Sequence, residues 1–272
     1  MARKVIMVLV DALRDDTARD QMGYMQHLVE ARLATRYTSI GELPTMSRPM
    51  YETLHTGVPV SEHGITSNRI VRLSHMPHVF RLAREAGKTT AAAAHAWFSE
   101  LYNHAPYNPA QDVQVDDQDR MIQHGRFYLH DGAPDSEVFA WAANLVQRFS
   151  PDYLLVHPMG QDYLGEQYGA DSSQYRNNAI RLDSIIGTYF PEWLAQDYFI
   201  LLTADHGINN DRLHGGTTPE LRNCPLYLID PRAAGEGDTQ SAVSMLRIAP
   251  TLCKLLGVET PKGMKHPALG RP

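Results

Sequence analysis

Three apolar runs in this chain lead into residues of the kind that bind metals, and that pairing constrains both the fold and the chemistry. Residues 5–10 end at Asp11, residues 198–203 lead to Asp205-His206, and Asp162 lies just past residues 153–156. A continuous, branched apolar run, as opposed to an alternating one, is the pattern of a strand buried on both faces of a parallel sheet. In an open α/β sheet the carboxyl ends of the strands meet along one edge, where sites form. Three strand ends that each deliver a ligand-type side chain predict one composite metal site, and hence a hydrolase.

The rest of the chain alternates in the same way. Residues 4–10 read as a buried strand, and residues 25–33 and 48–56 as helices, the second stopped by Gly57 and Pro59. A helix follows at 79–86, ended by Gly87, then a strand at 89–94. Beyond residue 134 come a helix at 136–149 capped by Asp135 or Ser136, a strand at 152–156, and a long helix at 172–190 with Ile180, Leu182, Ile185 and Ile186 inward. Strands at 198–203 and 226–229 and a helix at 245–256, ended by Gly257, complete the pattern. This predicts an α/β fold: a mostly parallel central sheet with helices on both faces, in a single catalytic domain spanning residues 1–272. Residues 97–134 break the rhythm with Pro106, Pro109 and several tyrosines, and predict a small inserted cap or long loop over the site.

Composition narrows the function classes. A chain of 272 residues is long enough to bury a substantial core. The net charge of −6 excludes a general nucleic-acid-binding surface, which needs a basic field to displace counterions. Cys224 and Cys253 are the only cysteines and lie in no Cys-x-x-Cys pattern, so no disulfide framework is expected and a reducing compartment fits. The first apolar run is too short for a signal peptide, and no later segment reaches transmembrane length. The expectation is a cytoplasmic protein without membrane contact that acts on a small molecule; its oligomeric state stays open.

Two local motifs carry the chemistry. In Ala204-Asp205-His206-Gly207 a carboxylate and an imidazole follow a buried strand, and the glycine allows a sharp turn. Taken alone, such a pair is equally a helix cap beside a surface histidine. His214-Gly215-Gly216 offers a second imidazole within reach of the same edge. In Leu43-Pro44-Thr45-Met46-Ser47-Arg48-Pro49, two prolines bracket a rigid turn and Ser47 falls at or just before a helix N-terminus. A hydroxyl there meets free backbone N–H groups and the positive end of the helix dipole, which suits a phosphate-attacking nucleophile as well as a plain N-cap.

Asp11, the Pro-Thr-Met-Ser-Arg-Pro segment running to Thr56-Gly57, Glu62-His63-Gly64-Ile65, Asn68 and Ala204-Asp205-His206-Gly207 together resemble the alkaline phosphatase superfamily, and within it the type I phosphodiesterase/nucleotide pyrophosphatase branch. Order and spacing hold from the N-terminus through His214. The resemblance implies two divalent metal ions, zinc or manganese. One would be held by Asp11, Asp205 and His206 and would also bind the nucleophile, Ser47, with Thr45 as the competing hydroxyl. The other would be held by Asp162 and His214. Where the family carries a histidine four residues after that aspartate, this chain has Glu166. A carboxylate there can still ligate, and it favours oxygen-loving manganese or magnesium over zinc. His157 is the alternative ligand or a supporting partner.

The resemblance also implies that the Asn68 amide contacts a non-bridging phosphate oxygen together with the Arg48 backbone N–H. The Arg48 and Arg69 side chains could add charge near the phosphate or simply be solvated, and Trp97, with Phe98 and Tyr102, could stack a planar group or pack a cap. His95 and His104 read as structural. The implied activity is cleavage of a phosphodiester or nucleotide pyrophosphate through a covalent Ser47 intermediate. A phosphomonoesterase, a phosphonoacetate-type hydrolase and a sulfatase-like enzyme are rivals within the superfamily, although Tyr51 stands where a sulfatase requires arginine. A non-catalytic metal-binding protein is the rival from another class.

Overall fold

Strand β1 (Lys4–Val10) lies in the middle of the sheet because Val5 to Val10 have no polar face to offer solvent, and all are buried. The computed structural model describes residues 2–270. The other strands are β2 (Thr35–Ile40), β3 (Thr90–His95), β4 (Gln114–Asp116), β5 (His124–Tyr128), β6 (Tyr153–Val156), β7 (Tyr198–Ala204), β8 (Asn223–Ile229) and β9 (Gly237–Ser244). They form one sheet in the order β4-β5-β3-β6-β1-β7-β8-β2-β9. The central pairs β5–β3, β3–β6, β6–β1 and β1–β7 are parallel, so their carboxyl ends share one edge. The pairs β7–β8, β8–β2 and β4–β5 are antiparallel.

Helices cover both faces. Ser47–Thr56, Val79–Glu85 and Ile248–Leu256 pack together in one layer, and Asp15–Gln21, Gly23–Glu30, Asp135–Phe149 and Ser173–Ala195 in the other. The first helix of the site ends as expected, with Gly57 in the left-handed region at φ 63°. Among the described residues no helix is long and apolar enough to cross a membrane.

Several local expectations are corrected. Residues 97–134 form the end of the helix Ala96–Tyr102, a short helix at Pro109–Asp112, and strands β4 and β5, which extend the sheet; the segment contributes an edge of the core in place of a separate cap. Strands β2 and β9, absent from the sequence reading, build the opposite edge. In the long helix Leu182 and Ile186 face inward, but Ile180 is largely exposed. Neither Asp135 nor Ser136 caps its helix: Pro134 is the N-cap residue, and Asp135 Oδ1 accepts from Gly160 N at 3.0 Å, fastening the loop after β6.

The two outer strands are irregular. β4 has three residues, and its Asp116 accepts from Arg126 of β5 at 3.0 Å and lies 3.0 Å from His124 Nδ1. β9 pairs with β2 through a register shift between Arg36 and Thr38, and Gln240 there has φ 55°.

Candidate metal centre

Adjacent strand ends place the site. Reading across the edge, β3 ends at His95, β6 is followed by His157, β1 by Asp11, and β7 by Asp205 and His206. The helix Gly160–Tyr168, which follows β6, carries Asp162 in its first turn. Ser47 is the first residue of its helix, with Met46 as the N-cap residue and no side-chain cap. Its hydroxyl is therefore free for other contacts, and Oγ lies 3.1 Å from His206 Nε2.

The protonation of His206 follows from its neighbours. Nδ1 lies 2.9 Å from the Gly207 carbonyl, which can only accept, so Nδ1 carries the proton. Burial and the nearby His214 bring the His206 pKa down to about 3, so the ring is neutral and Nε2 presents a lone pair. That lone pair faces Asp11 Oδ1 at 3.5 Å and Asp205 Oδ2 at 3.3 Å. Both oxygens are buried and without a hydrogen-bond partner, as is Asp162 Oδ1. Lone pairs confronting one another in a buried site are costly unless a cation sits between them. The donors converge in two groups, Asp11 with Asp205 and His206, and Asp162 with His206 and His214, with ligand atoms in each group within 4.8 Å of one another. These residues fit divalent cations.

The far oxygen of Asp11 is held from behind. Tyr51 OH donates to Asp11 Oδ2, and His157 Nε2 lies 3.3 Å from the same oxygen. Burial alone would raise the Asp11 pKa, but the His157 hydrogen bond, the His206 and His157 rings beside it and the Tyr51 hydroxyl bring it down to about 2. Asp205 and Asp162 are instead pushed well above the usual carboxylate range by burial and by the Asp11 charge. Asp205 Oδ1 accepts from Ala12 N at 3.0 Å, and Tyr175 OH donates to Ala12 O at 2.6 Å. These bonds hold Ala12 at φ 54°, a costly conformation for a residue with a Cβ. Gly207 is required by close approach and not by a left-handed turn: a Cβ there would lie 2.0 Å from the Glu220 carbonyl.

The second group is more open. His214 Nδ1 lies 3.3 Å from the Thr45 carbonyl, and its ring stacks on His206 with centroids 4.2 Å apart. Glu166, half exposed, stands outside the converging donors, with Oε1 3.4 Å from His214 Nε2. Burial alone would lower the His214 pKa, but Glu166 and Asp11 carry it above its ordinary value. Thr45 is no competitor to Ser47: its hydroxyl donates to Gly216 O at 2.9 Å and accepts from Gly215 N at 3.1 Å, locking the loop that carries His214.

Comparison with known proteins agrees with this geometry. Residues 5–212 match the type I phosphodiesterase/nucleotide pyrophosphatase family. The chain belongs to that family. The human GPI ethanolamine phosphate transferase 2 catalytic subunit is 26% identical over 279 residues, covering 95% of this chain and 27% of the relative. The corresponding Schizosaccharomyces pombe transferase is 22% identical, covering 96% of this chain and 37% of the relative. The chain thus spans between about a quarter and two fifths of these curated relatives. Murine ectonucleotide pyrophosphatase/phosphodiesterase 5 superposes with a TM-score of 0.75 at 14% identity, covering 99% of this chain and 98% of that one. The phosphonate monoester hydrolase of Silicibacter pomeroyi gives 0.67 at 13% identity, covering 99% and 76%. The fold is that of the alkaline phosphatase superfamily.

Within this family frame, the residues expected at the phosphate divide. Asn68 lies against the first turn of the Ser47 helix, where its Oδ1 accepts from Arg48 N at 3.0 Å, so that backbone N–H is not free for substrate. The Arg48 guanidinium turns inward with 1% exposure, donates to the Asn68 carbonyl at 3.0 Å and pairs with Glu100 at 2.7 Å. Trp97 is covered on one face by that guanidinium, 4.6 Å from its ring, and meets His95 edge-on. His157, read from the sequence as an alternative ligand or supporting partner of the second group, instead backs Asp11 in the first, 3.3 Å from its Oδ2, whereas Tyr51 and Tyr175 were not singled out as supports. Tyr51 had a signal: it lies one helical turn after Ser47 and so on the same face.

Proposed function

We propose that this chain cleaves phosphodiesters in a divalent-metal-dependent reaction with Ser47 as nucleophile. The observation that carries the reading is Ser47 Oγ at a helix N-terminus, 3.1 Å from His206 Nε2, among buried carboxylate oxygens that have no hydrogen-bond partner. Asp11, Asp205 and His206 would hold one cation, and Asp162 and His214, with Glu166 at the rim, a second. Bound there, zinc or manganese supplies Lewis acidity that favours the serine alkoxide and offsets charge on the phosphoryl oxygens. Ser47 Oγ loses its proton to solvent and forms a bond to phosphorus as the ester bond to the leaving alcohol breaks; that alcohol takes up a proton. An acceptor hydroxyl then forms its bond to phosphorus, the Ser47 Oγ–P bond breaks, and Ser47 regains its proton. Asn68, oriented by Arg48 N, is left with its Nδ2 hydrogens for a non-bridging oxygen.

The names of the curated relatives favour a second reading of the last step, in which the acceptor is an alcohol and the transferred group an ethanolamine phosphate. Bis-p-nitrophenyl phosphate and an ethanolamine phosphodiester, each assayed with and without added alcohol, separate hydrolysis from transfer. Ser47→Ala is expected to lower kcat by about 10³-fold or more while bound metal, measured by elemental analysis, stays unchanged. A variant that keeps most of its activity overturns the assignment of Ser47.

A further inference from the structure

Glu100 lies 52 positions from Arg48 in sequence, yet it pairs with the guanidinium of this residue next to Ser47. Arg48 follows Ser47 directly, so its guanidinium is the cation nearest to Ser47 along the chain. That group is 1% exposed, and Glu100 Oε2 lies 2.7 Å from Nη2. The other Glu100 oxygen accepts from Tyr107 N at 3.0 Å, so the carboxylate is fixed from both sides. The stack on Trp97 and the bond to the Asn68 carbonyl hold the guanidinium in turn, while Nη1 has no hydrogen-bond partner. The guanidinium lies 4.6 Å from the Trp97 ring, which meets His95 at the end of β3 edge-on and stands 6.4 Å from the ring of Tyr51, whose hydroxyl donates to Asp11, so the charge sits at the strand edge of the site. In a shielded site a unit charge is felt over such distances far more strongly than in water.

We propose that Glu100 is a specificity-determining residue: by cancelling the Arg48 charge it sets the site for a singly charged phosphodiester over a doubly charged monoester. This rests on the phosphodiester reading above. The second proton of a phosphate monoester leaves near pH 6, so at pH 7.5 the monoester carries the extra negative charge and the diester does not. A neutral Arg48–Glu100 pair gives that extra charge no reward next to the carboxylates of the metal site. An uncovered Arg48 would reward it, and a lone Glu100 would penalise it.

The test compares kcat/KM for p-nitrophenyl phosphate and bis-p-nitrophenyl phosphate in the metal-loaded protein. In Glu100→Gln the monoester-to-diester ratio is expected to rise about tenfold, the effect of a unit charge at moderate shielding. In Arg48→Met it is expected to fall by a similar factor, and in the double variant, which removes both charges, to return near the wild-type value. A purely structural pair would lower both rates together and leave the ratio unmoved. Breaking a buried pair is destabilising, so either single variant that folds suffices, the two having opposite signs. Glu100→Asp, which keeps the charge, is expected to hold the ratio near wild type. A ratio that stays within twofold of wild type in a folded single variant overturns the proposal. If the wild-type protein turns over neither ester, the phosphodiester reading fails first and the proposal with it.

Discussion

The two halves of the metal centre are built to different standards. Around Asp11, Asp205 and His206 every candidate ligand is buried, each has a supporting partner, and Asp11 Oδ1 and Asp205 Oδ2 are left without a hydrogen-bond partner. Around His214 the ring is partly open, and Glu166 offers it a carboxylate from the solvent side. Both halves leave a buried carboxylate oxygen without a hydrogen-bond partner, Asp11 Oδ1 and Asp205 Oδ2 in the first and Asp162 Oδ1 in the second, but only in the second does an imidazole face a half-exposed carboxylate. The first should therefore hold metal tightly, and the second should exchange it.

The sharpest way to break this contrast is Asp205→Asn. Loss of one carboxylate from the buried half is expected to abolish metal retention after dialysis and to lower kcat by about 10³-fold or more, read by elemental analysis and diesterase rate. Retained metal and activity would mean that the buried half is not the tighter site. Tyr51→Phe is the intermediate case. It deletes only the hydroxyl behind Asp11, so metal affinity is expected to fall roughly 10- to 100-fold, as for other supporting partners of ligands. An unchanged affinity in a chelator titration would show that the Tyr51 bond to Asp11 does nothing for the ligand. Glu166→Gln should have the smallest effect: a change of less than about tenfold in rate, with the second metal equivalent lost at lower chelator concentration and the first untouched. A loss as deep as that of Asp205→Asn would make Glu166 a full ligand and erase the distinction.

Legibility in the sequence followed the same divide. The apolar runs of β1, β6 and β7 announced strands, and the acids and histidine at their ends announced candidate ligands that the fold does bring together, because strand direction alone brings such residues to one edge. Strand β2 stayed hidden since its centre holds Arg36, which reads as a surface residue. In the fold that side chain is 1% exposed and paired with Asp15 at 2.5 Å, a partner no local pattern reveals. Glu166 was read from the resemblance as a ligand or an exposed loop acid, and the fold places it half exposed with Oε1 3.4 Å from His214 Nε2, a reach that sequence spacing alone does not fix. Arg48 was read as charge near the phosphate or as a solvated side chain; Glu100, the partner that turns it inward, lies 52 positions away. Ile180 fitted an apolar stripe and faces solvent, since the long helix buries a narrower face than its composition suggests.

The irregular outer strands have a consequence for life at high concentration. An open sheet exposes unpaired backbone donors and acceptors at both ends and invites strands from other molecules to add there. At one end β4 offers three residues, two of them exposed and polar, with Asp116 already drawn to Arg126 and His124. At the other, the register break and the left-handed Gln240 bend β9 away from the straight line a visiting strand would need. The sheet that lines up five carboxyl ends for chemistry is thus blunted on both sides against stacking into fibres.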